Sequence, residues 1–436
     1  MKYYFKIFLL SVGIGIINIL LYLLLLQIQI VSHSSYIPQE LFVVFLLLCA
    51  IPVQFGLLVL VAYLFKKNQL AIGITSVSFI VVCFCIFWST STWEREAYNT
   101  EQVYRSTEKY DYQQGISTPE GYPIKLLAGS NFSIAVRGHR NPVTLLETSK
   151  VYSTNWGNGD TTFKSSDDGD VVLPDSLTLY WYSFLENKYY SLETKLDKTQ
   201  ISNYFKKGYK WDYSGNLDKI LPSTYRQLIA GIAPGGDVVL WISGSHNTKE
   251  LATFKASLID AKEIDDHDTV KEDEIKKVLS DTCTCKDDVQ FRRIVNNGKP
   301  IPFGIWSTKY RKKYNWKAAI NNLGQTKSKL YFIFYNAEEH ELFNGEITKM
   351  KYQKQVLPNY LIYTFIKNKK RYKAYLEFDE DEIFSLFETL APNNANDPLD
   401  LVINISSDLS KTTIELHSKN KTLDFNKMKK VKIYAD

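Results

Sequence analysis

Three stretches around histidines contain residue types that could perform chemistry. His246 follows Ser243-Gly244-Ser245, His267 lies in an acidic run, and His340 precedes Glu341. SGSHN is not the G-x-S-x-G nucleophile elbow, the acidic run lacks the spaced ligands and turn glycine of a calcium loop, and His-Glu lacks the second histidine of a zinc H-E-x-x-H motif. We therefore predict no catalytic residue and no metal site, with His246 in a turn after a strand.

Pro234-Gly235-Gly236-Asp237 is one of the most distinctive loops of the chain. Glycine-rich loops can cradle phosphate, but this loop lacks a Lys-Ser/Thr pair, and the VVLWI that follows is typical of a strand, so we expect no cofactor. Proline followed by glycine predicts a tight turn. A loop held on a rigid sheet often binds ligands. The predicted partner-binding residues are Pro234, Gly235, Gly236, Asp237, Trp241 and Trp156.

Asp160 and Glu346 each follow an Asn-Gly pair and could share acid-base work, as the paired acids of glycosidases do. Asp160 and Glu346 occupy equivalent positions in a sequence repeat, which favours the same structural role for both. Cys283 and Cys285 provide too few ligands for a zinc site and either form a bridge or remain two loop thiols. We expect a protein that is not an enzyme. The alternative is an envelope enzyme whose acids, Asp237 included, meet only in the fold.

The elements that carry these residues begin with three apolar segments, at residues 7–31, 41–65 and 70–88. Each is close to or longer than the roughly 20 residues that cross hydrocarbon as a helix. The first segment has almost no polar side, which a soluble helix needs. We predict a three-helix membrane anchor over residues 1–88 and a juxtamembrane linker over residues 89–107.

The flanking cations predict the orientation of the anchor. Lys2 and Lys6 precede the first segment and Lys66 and Lys67 separate the second from the third, whereas the loop between the first two has no Lys or Arg. The positive-inside rule then places the N-terminus in the cytoplasm and everything after Trp88 outside. We expect a bacterial inner-membrane protein with a periplasmic C-terminal domain.

The net charge of the chain is +5, and its first 88 residues, with four lysines and one glutamate, contribute +3. The small remainder gives no indication of nucleic acid binding.

One pattern occurs twice after the anchor. VLPDSL at residues 172–177 recurs as VLPNYL at residues 356–361, and both lead through a turn and aromatic residues to D-x-x-[QE]-I-x-x-x-F. In this motif Asp is an N-cap, Gln or Glu reaches back to the cap, and Ile and Phe share one helical face. Upstream, each copy has an Asn-Gly pair, typical of hairpin turns, and a Tyr-[Asp/Asn]-[Tyr/Trp] triplet. The shared order of features indicates a duplication in which a β-hairpin leads into a capped amphipathic helix.

The chain after the linker divides into a first repeat over residues 108–256, an acidic joint over 257–300 and a second repeat over 301–436. A capping box at residues 269–272 predicts a short helix in the joint. Apolar or alternating runs predict strands at residues 332–335, 360–366, 401–405, 412–416 and 431–434. The predicted fold class is three N-terminal transmembrane helices plus an α+β exterior part, built of two tandem, mostly antiparallel β units that each have a capped amphipathic helix.

Five motifs occur in this part: LPDSLTLYWYSFLENKYY at residues 173–190, GIAPGGDVVLWISG at 231–244, YRKKYNW at 310–316, FNGE at 343–346 and FDEDEIFSLF at 378–387. Together they resemble a bacterial domain-of-unknown-function family, number 2931, over roughly residues 108–436. That family is frequent in Bacteroidetes and its members often look like envelope lipoproteins, so the resemblance implies an exterior, envelope-attached domain. This chain departs from it by having no lipobox cysteine. The family offers no established catalytic residues.

These observations predict a membrane-anchored envelope protein whose periplasmic domain binds a protein partner, either a toxin or an envelope protein. One version is an immunity protein that neutralises an interbacterial toxin, because some members of the family resemble such proteins in setting. Another alternative is a membrane-protein assembly or sensor subunit, in which Asn18, Pro52 and Gln54 of the spans would pair with another membrane protein.

Overall fold

The computed structural model divides the chain into a helical unit of residues 1–107 and a β-rich unit of residues 108–135 and 141–436. It describes residues 2–28, 39–133, 143–144, 150–151, 156–159, 161–163, 170–215, 217–264, 268–280, 300–321, 327–392 and 397–435. Several predicted features lie outside these described residues, namely Asp160, His267 with its neighbours Asp265 and Asp266, Cys283 and Cys285.

The helical unit contains three long helices. They are α1 (Lys2–Ile28), α2 (Gln39–Leu64) and α3 (Gln69–Ser106). Each contains a window that is long and apolar enough to cross a membrane, which agrees with the predicted spans and indicates membrane anchoring. Helix α3 continues beyond Trp88 to Ser106, so the segment predicted as a juxtamembrane linker is helical.

The interior of the helical unit combines apolar and polar side chains. Ile14 of α1 and Leu58 of α2 are buried, and so are Asn18 and Gln54. The two helices approach closely at Gly15, where an added Cβ would lie 2.7 Å from Cγ1 of Ile51. Many other large apolar side chains of the three helices are exposed, as is expected of helices that face lipid.

The first part of the β-rich unit consists of short strands and one capped helix. Its elements are β1 (Lys109–Tyr110), β2 (Gln113–Ser117), β3 (Ile124–Leu126), β4 (Asn131–Ser133), β5 (Val143–Thr144), β6 (Lys150–Val151), β7 (Thr161–Phe163), β8 (Val171–Val172), β9 (Ser176–Ser183), β10 (Lys188–Lys195), α4 (Lys198–Lys207), β11 (Tyr209–Asp212), β12 (Ile220–Ser223), β13 (Gln227–Ala233), β14 (Asp237–Gly244), β15 (Asn247–Lys255) and β16 (Ser257–Ile259).

The second part follows helix α5 (Glu272–Ser280) of the joint. Its elements are β17 (Tyr314–Asn321), β18 (Ser328–Phe334), β19 (Glu339–Phe343), α6 (Gly345–Thr348), β20 (Gln353–Gln355), β21 (Pro358–Lys367), β22 (Lys370–Glu377), α7 (Glu380–Leu390), β23 (Leu399–Ile405), β24 (Thr412–His417), β25 (Thr422–Asp424) and β26 (Lys430–Ala435). All five strands predicted in the second repeat are present.

Both repeats have the same strand order. The first repeat, together with β16 at the start of the joint, contains β7-β2-β13-β14-β15 and β16-β10-β9-β3-β6, and the second contains β20-β17-β23-β24-β25 and β26-β22-β21-β18-β19. The parallel pairs, β2 with β13 and β17 with β23, are counterparts as well. Pairing between β15 and β19 at Thr248 and Glu339 joins one sheet of each repeat into a ten-stranded sheet. The predicted fold class is therefore confirmed.

The repeated VLP accepts the same hydrogen bond in both repeats. The Tyr112 hydroxyl donates to the carbonyl of Val172 at 3.0 Å, and Nε1 of Trp316 donates to the carbonyl of Val356 at 3.2 Å. All four side chains are buried, where an unpaired polar group is costly. The repeated triplet and the repeated VLP therefore recur because they bond each other.

Each repeat also has the predicted hairpin and capped helix. Hairpin β9–β10 leads into α4 and hairpin β21–β22 into α7. Oδ1 of Asp197 accepts from the Gln200 amide, and Oδ1 of Asp379 accepts from the Glu382 amide. The expected return bond of Glu382 is wrong, because its carboxylate accepts from the amides of residues 426 and 427 instead.

The two helices also dock on equivalent tyrosines of the repeated triplet. Phe205 of α4 stacks on Tyr110 with ring centroids 4.6 Å apart, and Phe387 of α7 packs against Tyr314 at 5.3 Å. Phe205 and Phe387 are both buried, and they hold equivalent places in the repeated helix motif. One packing solution therefore serves both repeats.

Two local predictions need correction. The Asn-Gly pairs do not form hairpins, because β6 and β19 pair with β3 and β18 while β7 and β20 pair with β2 and β17. Each Asn-Gly segment instead moves the chain from one sheet to the other, with Gly157 at φ 89° and Asn344 at φ 51°. Helix α5 begins at Glu272 rather than just after Thr269, so the capping box does not mark its first turn.

Candidate functional site

A pocket of about 570 Å³ lies between the two repeats and is the candidate site. This volume is within the range of roughly 300–1,000 Å³ that is usual for ligand pockets. The inter-repeat pocket is lined by Pro119, Glu120, Trp156, Gly157, Asn158, Trp306, Tyr310, Ile333, Phe334, Tyr335, Ala337, Glu339, Asn359, Tyr360, Tyr375, Glu380 and Lys429. Six of these side chains are tryptophan or tyrosine, and they combine with polar and acidic side chains in the lining.

Gly157 sets the position of the Trp156 turn. It has φ 89°, and a Cβ built on it would lie 2.2 Å from the Cβ of Ala337 in the second repeat. Its amide donates to Oγ of Ser117 at 3.0 Å. Because only glycine fits this contact, the turn that carries Trp156 lies directly against the second repeat.

Trp241 supports Trp156 from below. The two rings meet edge to face with centroids 4.8 Å apart, and Nε1 of Trp241 donates to the carbonyl of Asn336 at 3.1 Å. A Cβ on Gly231 would lie 2.2 Å from the Trp241 ring, so the strand opposite needs glycine there. Trp241 is fully buried. It therefore positions Trp156 from the interior of the protein.

The loop at residues 234–237 is the predicted tight turn, with Gly235 at φ 82°. The Gly235 amide donates to Oε1 of Glu186 at 2.9 Å, and that same oxygen accepts from the Tyr190 hydroxyl. Asp237 is paired with Lys255 at 2.7 Å. Since its polar groups already have partners within the protein, the loop contributes rigidity to the site.

No residue of the loop at 234–237 lines the inter-repeat pocket, but Ala233, which precedes the loop, packs behind the lining. Ala233 packs in one apolar cluster with Tyr122 and Trp306, and Trp156 lies against that cluster. The structure thus brings Trp156, Trp241 and the loop at residues 234–237 into one region. Contact of these residues with a partner stays a prediction.

The carboxylates of the pocket have different surroundings. Glu380 pairs with Lys309 at 2.6 Å and accepts from the Tyr310 hydroxyl at 2.9 Å. Burial, followed by the charge of Glu380, raises the pKa of Tyr310 and keeps its hydroxyl protonated. Burial also raises the pKa of Glu339, and the hydrogen bond from Tyr331 only partly offsets that effect. Glu120 is exposed at the rim.

Two lining residues have buried polar atoms without a hydrogen-bond partner among the described residues. They are the hydroxyl of Tyr335 and Nε1 of Trp156. Tyr335 itself is 7% exposed. Buried polar groups normally have a partner, so an unpaired group beside a pocket indicates a place where a ligand could bond.

The comparison with known families identifies the part of the chain that supplies five of the 17 lining residues of this pocket. Residues 99–304 match the model of a family described as a protein of unknown function, DUF2931. These residues form a DUF2931 domain. No curated protein and no solved structure matches the chain.

The match covers the first repeat and the joint, whereas the resemblance noted from the motifs extends to residue 436. Trp156 and Glu120 of the pocket belong to the DUF2931 domain, and the lining from Trp306 onward follows it in the chain. The second repeat has the same strand order as the first, although it lies beyond the matched residues. The inter-repeat pocket therefore needs both parts of the chain.

A second cluster of charged side chains lies between the DUF2931 domain and the second repeat. Lys329 lies 3.0 Å from carboxylate oxygens of both Asp212 and Glu341. Nδ1 of His246 lies 3.1 Å from Glu341, and this hydrogen bond raises the pKa of His246. We call Asp212, His246, Lys329 and Glu341 the charged seam.

The charged seam contains three side chains of metal-ligand type, Asp212, His246 and Glu341, with their ligand atoms within 4.8 Å of one another. The ammonium of Lys329 already lies between the two carboxylates, where a metal ion would bind them. With His246 protonated, the two carboxylates and two cations balance. Charge balance therefore favours an ion-pair network that joins the repeats, and His246 lies in a turn after a strand, as predicted.

Two of the acids considered for catalysis, Glu346 and Asp237, have separate surroundings. Burial alone would raise the pKa of Glu346, but the bond from Lys210 and the Phe343 amide outweigh it and lower that pKa, so Glu346 is a charged structural acid. Asp237 of the DUF2931 domain pairs with Lys255. The contacts of the two acids have no residue in common, and the position of Asp160 lies outside the described residues.

Sequence reasoning missed most of the inter-repeat pocket. Trp306, Tyr310, Tyr335, Tyr360 and Tyr375 come from separate elements of the second repeat and the segment before it. The abundance of aromatic residues in the chain, with 29 Tyr and 8 Trp, was the available signal. It does not tell which of them surround a cavity.

Proposed function

We propose that this is a membrane-anchored envelope protein whose β-rich unit lies in the periplasm and binds a protein partner without catalysing a reaction. The orientation is supported by the lysines on the proposed cytoplasmic side, Lys2, Lys6, Lys66 and Lys67. The binding role is supported chiefly by one observation, the inter-repeat pocket with its six Trp and Tyr side chains. Aromatic anchors of this kind dominate the energy of protein interfaces.

A rigid support around the pocket favours binding over a role as a passive spacer. Trp156 is fixed by Trp241 behind it and by the Gly157 contact with Ala337. Preorganised side chains lose little conformational entropy on binding, so they give tighter complexes. The pocket is therefore suited to receive a side chain of a partner without rearrangement.

The specific version that we propose is immunity, in which the periplasmic unit forms a tight one-to-one complex with an envelope-acting toxin delivered by a neighbouring bacterium. The rival enzyme has less support, because Glu346 and Asp237 have separate partners. The rival assembly subunit has less support as well, because Asn18 and Gln54 are buried within the helical unit rather than exposed to lipid.

Orientation is the first test. Alkaline phosphatase, active only outside the cytoplasm, and a fluorescent protein that folds only inside it are each fused after Asp436. We expect phosphatase activity and no fluorescence. The reverse pattern would overturn the periplasmic assignment.

Partner binding is the second test. The full chain is purified with its membrane anchor, bound proteins are identified, and the binary complex is reconstituted from purified components. We expect a one-to-one complex that Trp156→Ala weakens at least about tenfold, the effect of a typical interface anchor. Immunity further requires that cells lacking the protein become sensitive to the toxin-producing neighbour. Unchanged sensitivity together with no copurified toxin would refute immunity.

A further inference from the structure

The aromatic lining of the inter-repeat pocket suits a positively charged ligand. Faces of Trp and Tyr rings attract cations through their quadrupole. One lining ring already does so, because Nζ of Lys430 lies 4.9 Å above the ring centre of Tyr375. The pocket supplies five further rings, from Trp156, Trp306, Tyr310, Tyr335 and Tyr360.

The charges of the lining also favour a positively charged ligand. Three glutamates, Glu120, Glu339 and Glu380, stand against one lysine, Lys429. Lys309 compensates Glu380. Glu120 and Glu339 have no Lys or Arg at ion-pair distance within the described part of the chain.

Glu339 is the more informative of these two acids. It is largely withdrawn from solvent, and neither the Tyr331 hydrogen bond nor the charge of His246 offsets the effect of its burial. A buried carboxylate without a full cationic partner is energetically costly. A cation bound in the pocket would remove that cost, so the site selects for positive charge.

The unpaired polar atoms indicate which hydrogen-bonding groups the ligand has besides its positive charge. The Tyr335 hydroxyl can accept a hydrogen bond from an ammonium or guanidinium, and the Trp156 N–H needs an acceptor. A peptide supplies both, because its side chain carries the donor and its backbone carbonyl is the acceptor. A small free amine supplies only the donor.

We propose that the inter-repeat pocket binds the guanidinium of an arginine, or the ammonium of a lysine, presented by a peptide segment of the partner. This assignment rests on the proposed function, because it names the chemical group by which a protein partner would be recognised. Arginine is the better fit of the two, because its planar group stacks on rings while it bonds carboxylates.

The test uses the full chain in lipid nanodiscs and follows tryptophan fluorescence, since Trp156 and Trp306 line the pocket. The probes are N-acetyl-arginine amide, its neutral isostere N-acetyl-citrulline amide, and the free amine agmatine. We expect the arginine probe to bind at least about tenfold more tightly than the citrulline probe, and more tightly than agmatine. Binding should weaken as salt rises, because it depends on charge.

Two pocket variants and one matched control locate the binding. Glu339→Gln and the rim variant Glu120→Gln should each weaken arginine binding, Glu339→Gln by about tenfold or more. Glu193→Gln, an exposed glutamate on β10 outside the lining, should leave it unchanged. Equal thermal melting of the variants and the native chain establishes that they are folded, and Glu120→Gln provides the test if Glu339→Gln melts early.

Three results would overturn the proposal. They are equal binding of the citrulline and arginine probes, agmatine binding as tight as the arginine probe, and binding unchanged in both pocket variants. If the partner complex forms but is insensitive to Glu339→Gln and Glu120→Gln, the assignment of a cationic group fails while the protein-binding function stands. If no partner complex forms but the arginine probe binds, the assignment of a cationic group stands while the protein-binding function fails.

Discussion

The two repeats agree in their cores and differ in their connections. Tyr112 and Trp316 bond the equivalent carbonyl of the repeated VLP, and Phe205 and Phe387 pack on equivalent tyrosines of the repeated triplet. By contrast, the turn at residues 234–237 corresponds to residues 406–411, where Asp408 accepts bonds from Ser406 and Ser410 instead. The repeated residues thus maintain the fold, and the candidate site lies where the repeats differ and meet.

The boundary between the repeats differs chemically from their interiors. Each interior is an apolar cluster, whereas the boundary contains the charged seam, the ion pair of Arg311 with Glu250, and the inter-repeat pocket. Only one residue pair joins β15 to β19. Side-chain interactions, rather than backbone pairing, therefore hold the two halves of the ten-stranded sheet together.

Removal of the equivalent core phenylalanines should give the largest effect. Phe205→Ala and Phe387→Ala each delete a buried ring, and we expect each to lower the free energy of unfolding by about 3–5 kcal/mol. Urea denaturation of the full chain in detergent, followed by tryptophan fluorescence, measures this. The equivalence of the repeats predicts similar losses, and a full loss at one position with none at the other would contradict it.

Breaking the charged seam should give the second-largest loss of stability. Lys329→Ala leaves the carboxylates of Asp212 and Glu341 buried without their shared cation, which typically costs about 3 kcal/mol or more. The matched control is Lys312→Ala, which removes a partly exposed pair with Glu388 and should cost about 0–1 kcal/mol.

A compensating variant tests the cause of that loss. Adding Asp212→Asn and Glu341→Gln to Lys329→Ala removes the uncompensated charges and should restore part of the stability, as measured by the urea midpoint. If the triple variant is no more stable than Lys329→Ala alone, the loss does not arise from unpaired buried charge.

Loss of the helix caps should give a smaller and equal effect in the two repeats. Asp197→Ala and Asp379→Ala each remove the acceptor for a first-turn amide, and we expect about 1 kcal/mol from each. Asp→Asn at the same positions keeps an acceptor and serves as the control. Equal stability of the Ala and Asn variants in either repeat would show that the cap contributes nothing there.

The pH dependence of the charged seam should be the smallest effect. The Glu341 hydrogen bond raises the pKa of His246 above its ordinary value of 6.5. The stabilisation is therefore fully present below about pH 6.5 and is lost as the pH rises through the raised folded-state pKa. Because His246 is half exposed, we expect the melting temperature to fall by only about 1–2 °C.

Melting of the native chain and His246→Asn between pH 6 and pH 9 checks this prediction. His246→Asn should lose the part of the change of melting temperature with pH that comes from His246. An identical change of melting temperature with pH in both proteins would show that His246 does not cause the pH dependence.

Local sequence patterns were enough to predict the repeated elements. The Asp caps, the helical Ile and Phe and the hairpins depend on neighbours within a few residues, so the sequence carries them directly. The Asn-Gly segments were misread because positive φ permits several turns, and the pairing of distant strands determines where the chain goes next.

The candidate site could be predicted only in part. Of the predicted residues, Trp156 lines the pocket and Trp241 lies behind it, whereas the loop at residues 234–237 is outside the lining. Trp306 and Tyr335 were missed, since their role depends on the docking of one repeat against the other. The charged seam was missed for the same reason, because Asp212 and His246 meet Lys329 and Glu341 only across the boundary.

The measurement that tests the account most directly is site-specific photo-crosslinking in intact cells. A photoreactive residue replaces Asn158, which is exposed in the pocket lining, or Lys195, which is exposed on β10 outside it. We expect a crosslink from position 158 to one periplasmic protein, abolished by Trp156→Ala, and none from position 195. Equal crosslinking from both positions, or capture of cytoplasmic proteins from position 158, would contradict it.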